Sequence, residues 1–69
     1  MKSDYRKKHF EFIENDTKER GETIVSDITF FAAIYECRVK KEGEKKSRSV
    51  MYSAAENVMD GYREIKVAV

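Results

Sequence analysis

The residues best suited to catalysis are few in this chain. It has one histidine, His9, and one cysteine, Cys37. A catalytic thiol needs a base beside it, so the fold would have to bring these two side chains together. They also fall short of the four ligands that a structural zinc site uses. A histidine on a helix face and a small thiol in the core are the simpler interpretation.

The other reactive groups do not form a recognisable site either. Five carboxylates of the first third lie among lysines, as on a solvated face: Glu11, Glu14, Asp16, Glu19 and Glu22. The three glycines are scattered, so neither a P-loop nor a dinucleotide fingerprint is present. We therefore predict a protein that is not an enzyme, with no catalytic, cofactor-binding or metal-binding residues and no cofactor.

A basic stretch is the strongest electrostatic feature. The segment from Arg38 to Arg48 contains six positive and two negative residues. Its positive side chains could contact a nucleic acid, with Tyr35 or Tyr52 stacking on bases; they are Arg38, Lys40, Lys41, Lys45, Lys46 and Arg48. Alternatively, the lysines keep a strand edge soluble. Glu42 and Glu44 at the tip favour this second interpretation, so nucleic-acid binding is kept as the alternative function.

The first segment favours a helix from Ser3 to Arg20, with Gly21 at the stop position. Tyr5, His9, Phe12 and Ile13 fall within one stripe at helical spacing, and Asp16 precedes Arg20 by four residues. The alternation in residues 10–12 is the competing prediction of a short strand.

Residues 28–39 fit either a helix or a strand, and their β-branched and aromatic content favours the strand. The strand would place Phe31, Ala33 and Tyr35 on one face, with Ala32 and Ile34 on the other. A turn of two or four residues around Gly43 would then pair Tyr35 with Val50 and Ala33 with Tyr52.

The C-terminal third predicts a short helix followed by a strand. Ser53 and Glu56 form a capping-box pattern, and Gly61 is placed to end that helix. Ile65, Val67 and Val69 then alternate with polar or small residues. We predict an α+β fold: a small antiparallel sheet, made of a hairpin over about 29–53 and a C-terminal strand over 63–69, with the N-terminal helix and a short helix over about 54–60 on one face.

Length and composition predict one small domain over residues 1–69. The longest apolar run, residues 30–35, is far shorter than the roughly 20 residues that a membrane helix requires. We therefore expect no binding to membranes. The lone Cys37 fits a reducing compartment, so we also expect a cytoplasmic protein.

A possible interface follows from the strand that is apolar on both faces. One thin domain cannot easily cover both, which leaves Phe30, Ala32 and Ile34 for a protein partner of unknown identity or for a second copy in a homodimer. The charged hairpin, the short Ala-Ala-Glu helix and the final alternating strand resemble small accessory proteins of phages and mobile elements, including inhibitors of host enzymes. From the strand that is apolar on both faces we expect a non-enzymatic protein-interaction module that acts by occlusion or by strand addition.

Overall fold

The fold is a small α+β arrangement of one helix and a mixed five-stranded sheet within the described residues. The structure is a computed structural model that describes residues 2–55 and 61–65. The elements are α1 (Lys2–Glu19), β1 (Glu22–Ile24), β2 (Thr29–Phe31), β3 (Ile34–Lys41), β4 (Arg48–Ser53) and β5 (Arg63–Glu64). The predicted α+β class is confirmed.

Helix α1 confirms the helical prediction for the first segment and excludes the alternative strand at residues 10–12. Its inward stripe includes buried Ile13 and Thr17 and partly buried Phe12. Beyond the helix, the N–H of Gly21 donates to the C=O of Lys18 at 3.0 Å. Gly21 has a φ of 75°, which glycine adopts without the clash that a Cβ atom causes, so it ends the helix as predicted.

Strand β3 is the centre of the sheet. It pairs antiparallel with β4 on one side, while β1 and β2 follow one another along its other side. Strand β5 pairs with the outer side of β4 in parallel orientation, Tyr52 opposite Arg63. The sheet is therefore mixed, and the prediction that it is antiparallel is wrong at β5. Strand β5 runs in the same direction as β4 and lies beside its last two residues.

Two predicted C-terminal elements extend beyond the described residues. Of the predicted helix over about 54–60, only the start is described. There the chain bends at Ala55, whose N–H donates to Ser53 Oγ at 3.1 Å. Residues 56–60 lie outside the described residues, as do residues 66–69 of the predicted final strand.

A tight turn at Ala32 and Ala33 divides the strand predicted over residues 28–39. Both alanines have positive φ, 53° and 64°, and Phe31 pairs with Ile34 across them. Positive φ at both central residues is the geometry of the two-residue type I′ hairpin turn. The turn places Phe31 on the face of Ile34, and Phe30 opposite Tyr35 on the other face. The predicted grouping of Phe31 with Tyr35, and of Phe30 with Ile34, is therefore wrong.

The hairpin between β3 and β4 is confirmed, but its register differs from the prediction. Tyr35 pairs with Tyr52 rather than Val50, a displacement of two residues. The tip loop is longer than predicted, because β3 ends at Lys41 and β4 begins at Arg48. Since side chains alternate with a period of two, the displacement leaves those of β4 on their predicted faces.

The core lies between α1 and one face of the sheet. Its buried apolar side chains are Ile13, Tyr35, Cys37, Val39, Val50 and Tyr52. Phe10, Phe12, Ile24, Ile28 and Ile65 pack against them. Within the described residues α1 is the only helix, and it packs on this one face of the sheet.

Candidate functional site

The face of the sheet opposite α1 is the candidate site, and we call it the open face. Strand alternation and register assign its side chains: Thr23, Thr29, Phe31, Ile34, Glu36, Arg38, Lys40, Ser49, Met51 and Ser53. Apolar residues occupy the end near the Ala32–Ala33 turn, and basic residues occupy the end near the tip loop.

The apolar end is formed by Phe31, Ile34 and Met51, with Ala32 beside them. Phe31 is 84% exposed and Met51 37%, while Ile34 is half-buried. Together with Thr29 and Glu36 these residues line a shallow groove. Single exposed apolar residues are common on soluble proteins, but neighbouring ones on one face form a patch that can contact another molecule.

The basic end contains Arg38 and Lys40 of β3. The Arg38 guanidinium lies across the sheet towards β4. Its Nε donates to Ser47 Oγ at 3.0 Å, one terminal nitrogen donates to the Ser47 C=O at 3.1 Å, and the other to Ser49 Oγ at 3.4 Å. These contacts fix the plane and position of an exposed positive group.

Of the three predicted interface residues, two line the apolar end and the third lies on the other face. Ile34 belongs to the open face, whereas Phe30 packs on the α1 side with its ring 4.5 Å from that of Tyr35 and the Arg6 guanidinium above it. Ala32 is in the turn and lines the groove of the apolar end. Phe31 takes the place predicted for Phe30, because the turn reverses the chain where a continuous strand was expected.

The six predicted nucleic-acid contacts are divided among the two faces of the sheet and the tip loop. Arg38 and Lys40 lie on the open face, and Lys45 and Lys46 are exposed in the tip loop. Lys41 belongs by its register to the α1 side, as does Arg48, which forms a salt bridge with Glu22.

The proposed base-stacking residues are buried. Tyr35 is 1% exposed and Tyr52 0%. Neither ring surface is accessible to a nucleic-acid base.

A charged cluster lies on the α1 side of the sheet. Asp16 Oδ2 accepts hydrogen bonds from the Tyr52 hydroxyl at 2.6 Å and from Arg20 Nε at 2.9 Å. Arg63 donates to Asp16 at 3.3 Å, to the Tyr52 oxygen at 2.8 Å and to Glu22 at 3.4 Å. The cluster therefore joins α1, β1, β4 and β5 through side chains.

The cluster changes the acidity of its members. Burial and the hydrogen bond to Asp16 raise the pKa of Tyr52 to about 12. Burial alone would raise the pKa of Asp16, but the hydrogen bonds from Tyr52 and Arg20 and the nearby positive charges hold it below its ordinary value. The cluster thus keeps Tyr52 protonated and Asp16 ionised at neutral pH.

Sequence reasoning identified only part of this cluster. The spacing of Asp16 and Arg20 indicated their pairing, which the structure confirms. Glu22 was predicted to be solvated, but it is only 5% exposed. Its partners Arg48 and Arg63 lie on strands distant in sequence, so no local spacing could reveal them.

His9 and Cys37 have separate environments. His9 Nδ1 lies 2.7 Å from the Tyr35 hydroxyl, and burial lowers the pKa of His9. Cys37 is 3% exposed, and burial raises the pKa of its thiol, which favours the protonated and less nucleophilic form.

The described part of the chain contains no group of three or more His, Cys, Asp or Glu side chains arranged to hold a metal ion. Its helix does not combine the length and the apolar character needed to cross a membrane.

Comparison with protein-family models, curated proteins and solved structures finds no match to this chain.

Proposed function

We propose that this chain is a non-enzymatic protein-interaction module that binds another protein through its open face. The observation that carries the proposal is the 84% exposure of Phe31 beside Ile34 and Met51, on a face that α1 does not cover. An aromatic side chain next to smaller apolar ones is a common anchor of protein interfaces.

The size of the apolar end indicates how such a contact would work. Covering an exposed phenylalanine removes on the order of 150 Å² from water, a gross gain of about 3 to 4 kcal/mol. A specific interface usually covers about 800 Å² on each partner. Phe31 and its apolar neighbours therefore supply an anchor, and the polar and basic remainder of the face must supply the rest of the contact.

The edge formed by β1 and β2 favours occlusion over strand addition. Between these three-residue strands, the N–H of Val25 donates to the C=O of Arg38 at 2.9 Å, and Ser26 Oγ accepts from the N–H of Arg38 at 2.8 Å. Residues 26–28 bulge away from the ladder, and a short, bulged edge resists pairing with another strand. We therefore propose an accessory or inhibitor protein, of the kind found in phages and mobile elements, that acts by covering a partner's surface.

The test compares the same substitution at neighbouring positions on opposite faces. Tagged wild-type, Phe31→Thr and Phe30→Thr chains are used to capture proteins from an extract of the native host, with circular dichroism of each variant to verify folding. We expect Phe31→Thr to lose a partner that Phe30→Thr retains. Phe30→Thr should instead lose thermal stability, because Phe30 packs on Tyr35. Equal capture by all three chains would contradict the proposal.

A second copy is another possible occupant of the open face. If two open faces overlapped completely, the basic end of one copy would lie on either the apolar end or the basic end of the other copy. Both arrangements oppose a large interface. We therefore propose that any homodimer forms through the apolar end alone and is weak. Sedimentation should then show self-association only at high concentration, and none for Phe31→Thr. A tight dimer that survives Phe31→Thr would contradict this arrangement.

Nucleic-acid binding remains the alternative function, because Arg38, Lys40, Lys45 and Lys46 are exposed. It requires salt-sensitive binding that weakens when these residues become glutamate. A gel shift at low salt that detects no complex removes this alternative.

The cytoplasm is the compartment we propose. Cys37 is the only cysteine, and a buried free thiol suits a reducing environment.

A further inference from the structure

We infer that the partner presents an acidic protein segment beside its apolar contact, and that Arg38 receives its carboxylate. The inference rests on the proposed function, because it names the chemistry of the partner that would bind the open face. It follows from the fixed geometry of Arg38 and from the order of charges along β3.

The Arg38 guanidinium is already positioned before any partner arrives. Ser47 and Ser49 accept three of its five N–H groups, at 3.0, 3.1 and 3.4 Å. The remaining two can bind an incoming acceptor. Since the side chain is already held, binding loses less conformational entropy than it would with a free lysine. A planar guanidinium also matches the two oxygens of a carboxylate.

The order of residues on the open face of β3 fixes where that carboxylate must lie. Ile34 is followed on the same face by Glu36, Arg38 and Lys40. Arg38 is four residues from Ile34, about 13 Å along the strand. Glu36 lies between them and repels a carboxylate placed closer to the apolar end. The complementary segment therefore has apolar side chains at one end and acidic side chains about 13 Å away.

The same features favour a protein carboxylate over a nucleic-acid phosphate. The apolar end formed by Phe31, Ile34 and Met51 has no role on a phosphate backbone, and Glu36 repels one. Tyr35 and Tyr52, which could have stacked on bases, are buried.

The test uses synthetic peptides and isotope-labelled protein. One peptide carries leucines followed, about 13 Å along the extended chain, by glutamates; the second has glutamines in their place, and a short single-stranded DNA is the third probe. Nuclear magnetic resonance follows the side-chain methyl groups of Ile34 and Met51 and the Nε–H of Arg38. We expect the glutamate peptide to bind about fivefold more tightly than the glutamine peptide at low salt, the upper range for an exposed ion pair.

Two variants isolate the role of Arg38. Arg38→Gln should abolish the preference for glutamate. Arg38→Lys keeps the charge without the planar fork and should retain only part of the preference. Equal binding of the two peptides, a preference that survives Arg38→Gln, or tighter binding of the DNA through Arg38 would each overturn the inference.

The glutamine peptide separates this inference from the proposed function. If it shifts the methyl signals of Ile34 and Met51 while glutamate adds nothing, the open face binds apolar segments and only the acidic partner is wrong. If it shifts no signal in wild type, and capture from the extract does not depend on Phe31, the proposed function fails as well.

Discussion

Replacing the Ala32–Ala33 turn with Asn-Gly should stabilise the protein. Both alanines have positive φ, at 53° and 64°. The left-handed conformation costs an alanine about 1 to 2 kcal/mol, because its Cβ atom approaches the following carbonyl. Asparagine tolerates this conformation, and glycine adopts it without that clash. The double variant Ala32→Asn/Ala33→Gly removes most of this strain.

The expected gain follows from two opposing terms. Relief of strain at both positions amounts to roughly 2 to 4 kcal/mol. The greater conformational freedom of glycine in the unfolded chain offsets roughly 0.5 to 1 kcal/mol of this gain, and asparagine retains part of the strain. We expect a net gain of about 1 to 2 kcal/mol. For a domain of this size each kcal/mol raises the melting temperature by about 4 to 8 °C.

The assay is urea and thermal unfolding followed by circular dichroism. The midpoint should rise without a change in the slope of the urea transition, because the exposed surface is unchanged. Ala54→Gly is the matched control, since Ala54 lies beside the same turn, donates its N–H to the Ala33 C=O at 2.8 Å and does not have positive φ. It should be neutral or destabilising. If the Asn-Gly variant is no more stable than wild type, the strained turn is refuted.

The remaining predictions concern the open face and the charged cluster. Phe31→Thr should change the free energy of unfolding by no more than about 0.5 kcal/mol, as urea titration would show, because Phe31 packs on little within its own chain. Tyr52→Phe should cost about 2 kcal/mol by losing a hydrogen bond to the charged Asp16; an unchanged urea midpoint would contradict this. Because the Tyr52 pKa rises from 10.0 to about 12, its stabilising contribution is complete below pH 10 and is lost as pH rises towards 12. The pKa of Asp16 is instead lowered from 3.8, so its contribution is present above that pH and is lost as pH falls below it. Thermal melts over both ranges should show these losses, and Tyr52→Phe should reduce both, because the Tyr52 hydroxyl also donates to Asp16 and helps to lower its pKa. Glu22→Gln should cost about 2 kcal/mol, because the buried carboxylate bonds Arg48 and Arg63; equal melting temperatures of variant and wild type would refute it.

Local patterns in the sequence were sufficient to predict several elements. Helix α1 follows from its apolar stripe and from Gly21, and the pairing of β3 with β4 follows from the charged turn around Gly43. The φ of Gly43 is 89°, and Glu44 closes the turn by donating its N–H to the Lys41 C=O at 3.0 Å. Because the register error was two residues, it preserved the predicted faces of the side chains in β3 and β4.

The features that determine the candidate site were not predictable in the same way. Ala32 and Ala33 carry no turn signal, because alanine is not a residue that favours positive φ. Missing that turn exchanged Phe30 and Phe31 between the faces. The contacts of Arg38 with Ser47 and Ser49 depend on the length of the tip loop, and those of Arg63 with Asp16 and Glu22 depend on the parallel pairing of β5. Both are properties of the assembled sheet.

The most direct test of the open face as a protein-binding surface is photo-crosslinking in extract of the native host. The photoreactive analogue benzoylphenylalanine replaces Phe31 in one chain and Glu11, on the exposed side of α1, in a control chain. We predict a discrete protein adduct from position 31 that the control does not form. Equal adducts from both positions, adducts with nucleic acid alone, or no protein adduct from position 31 would contradict the proposed function.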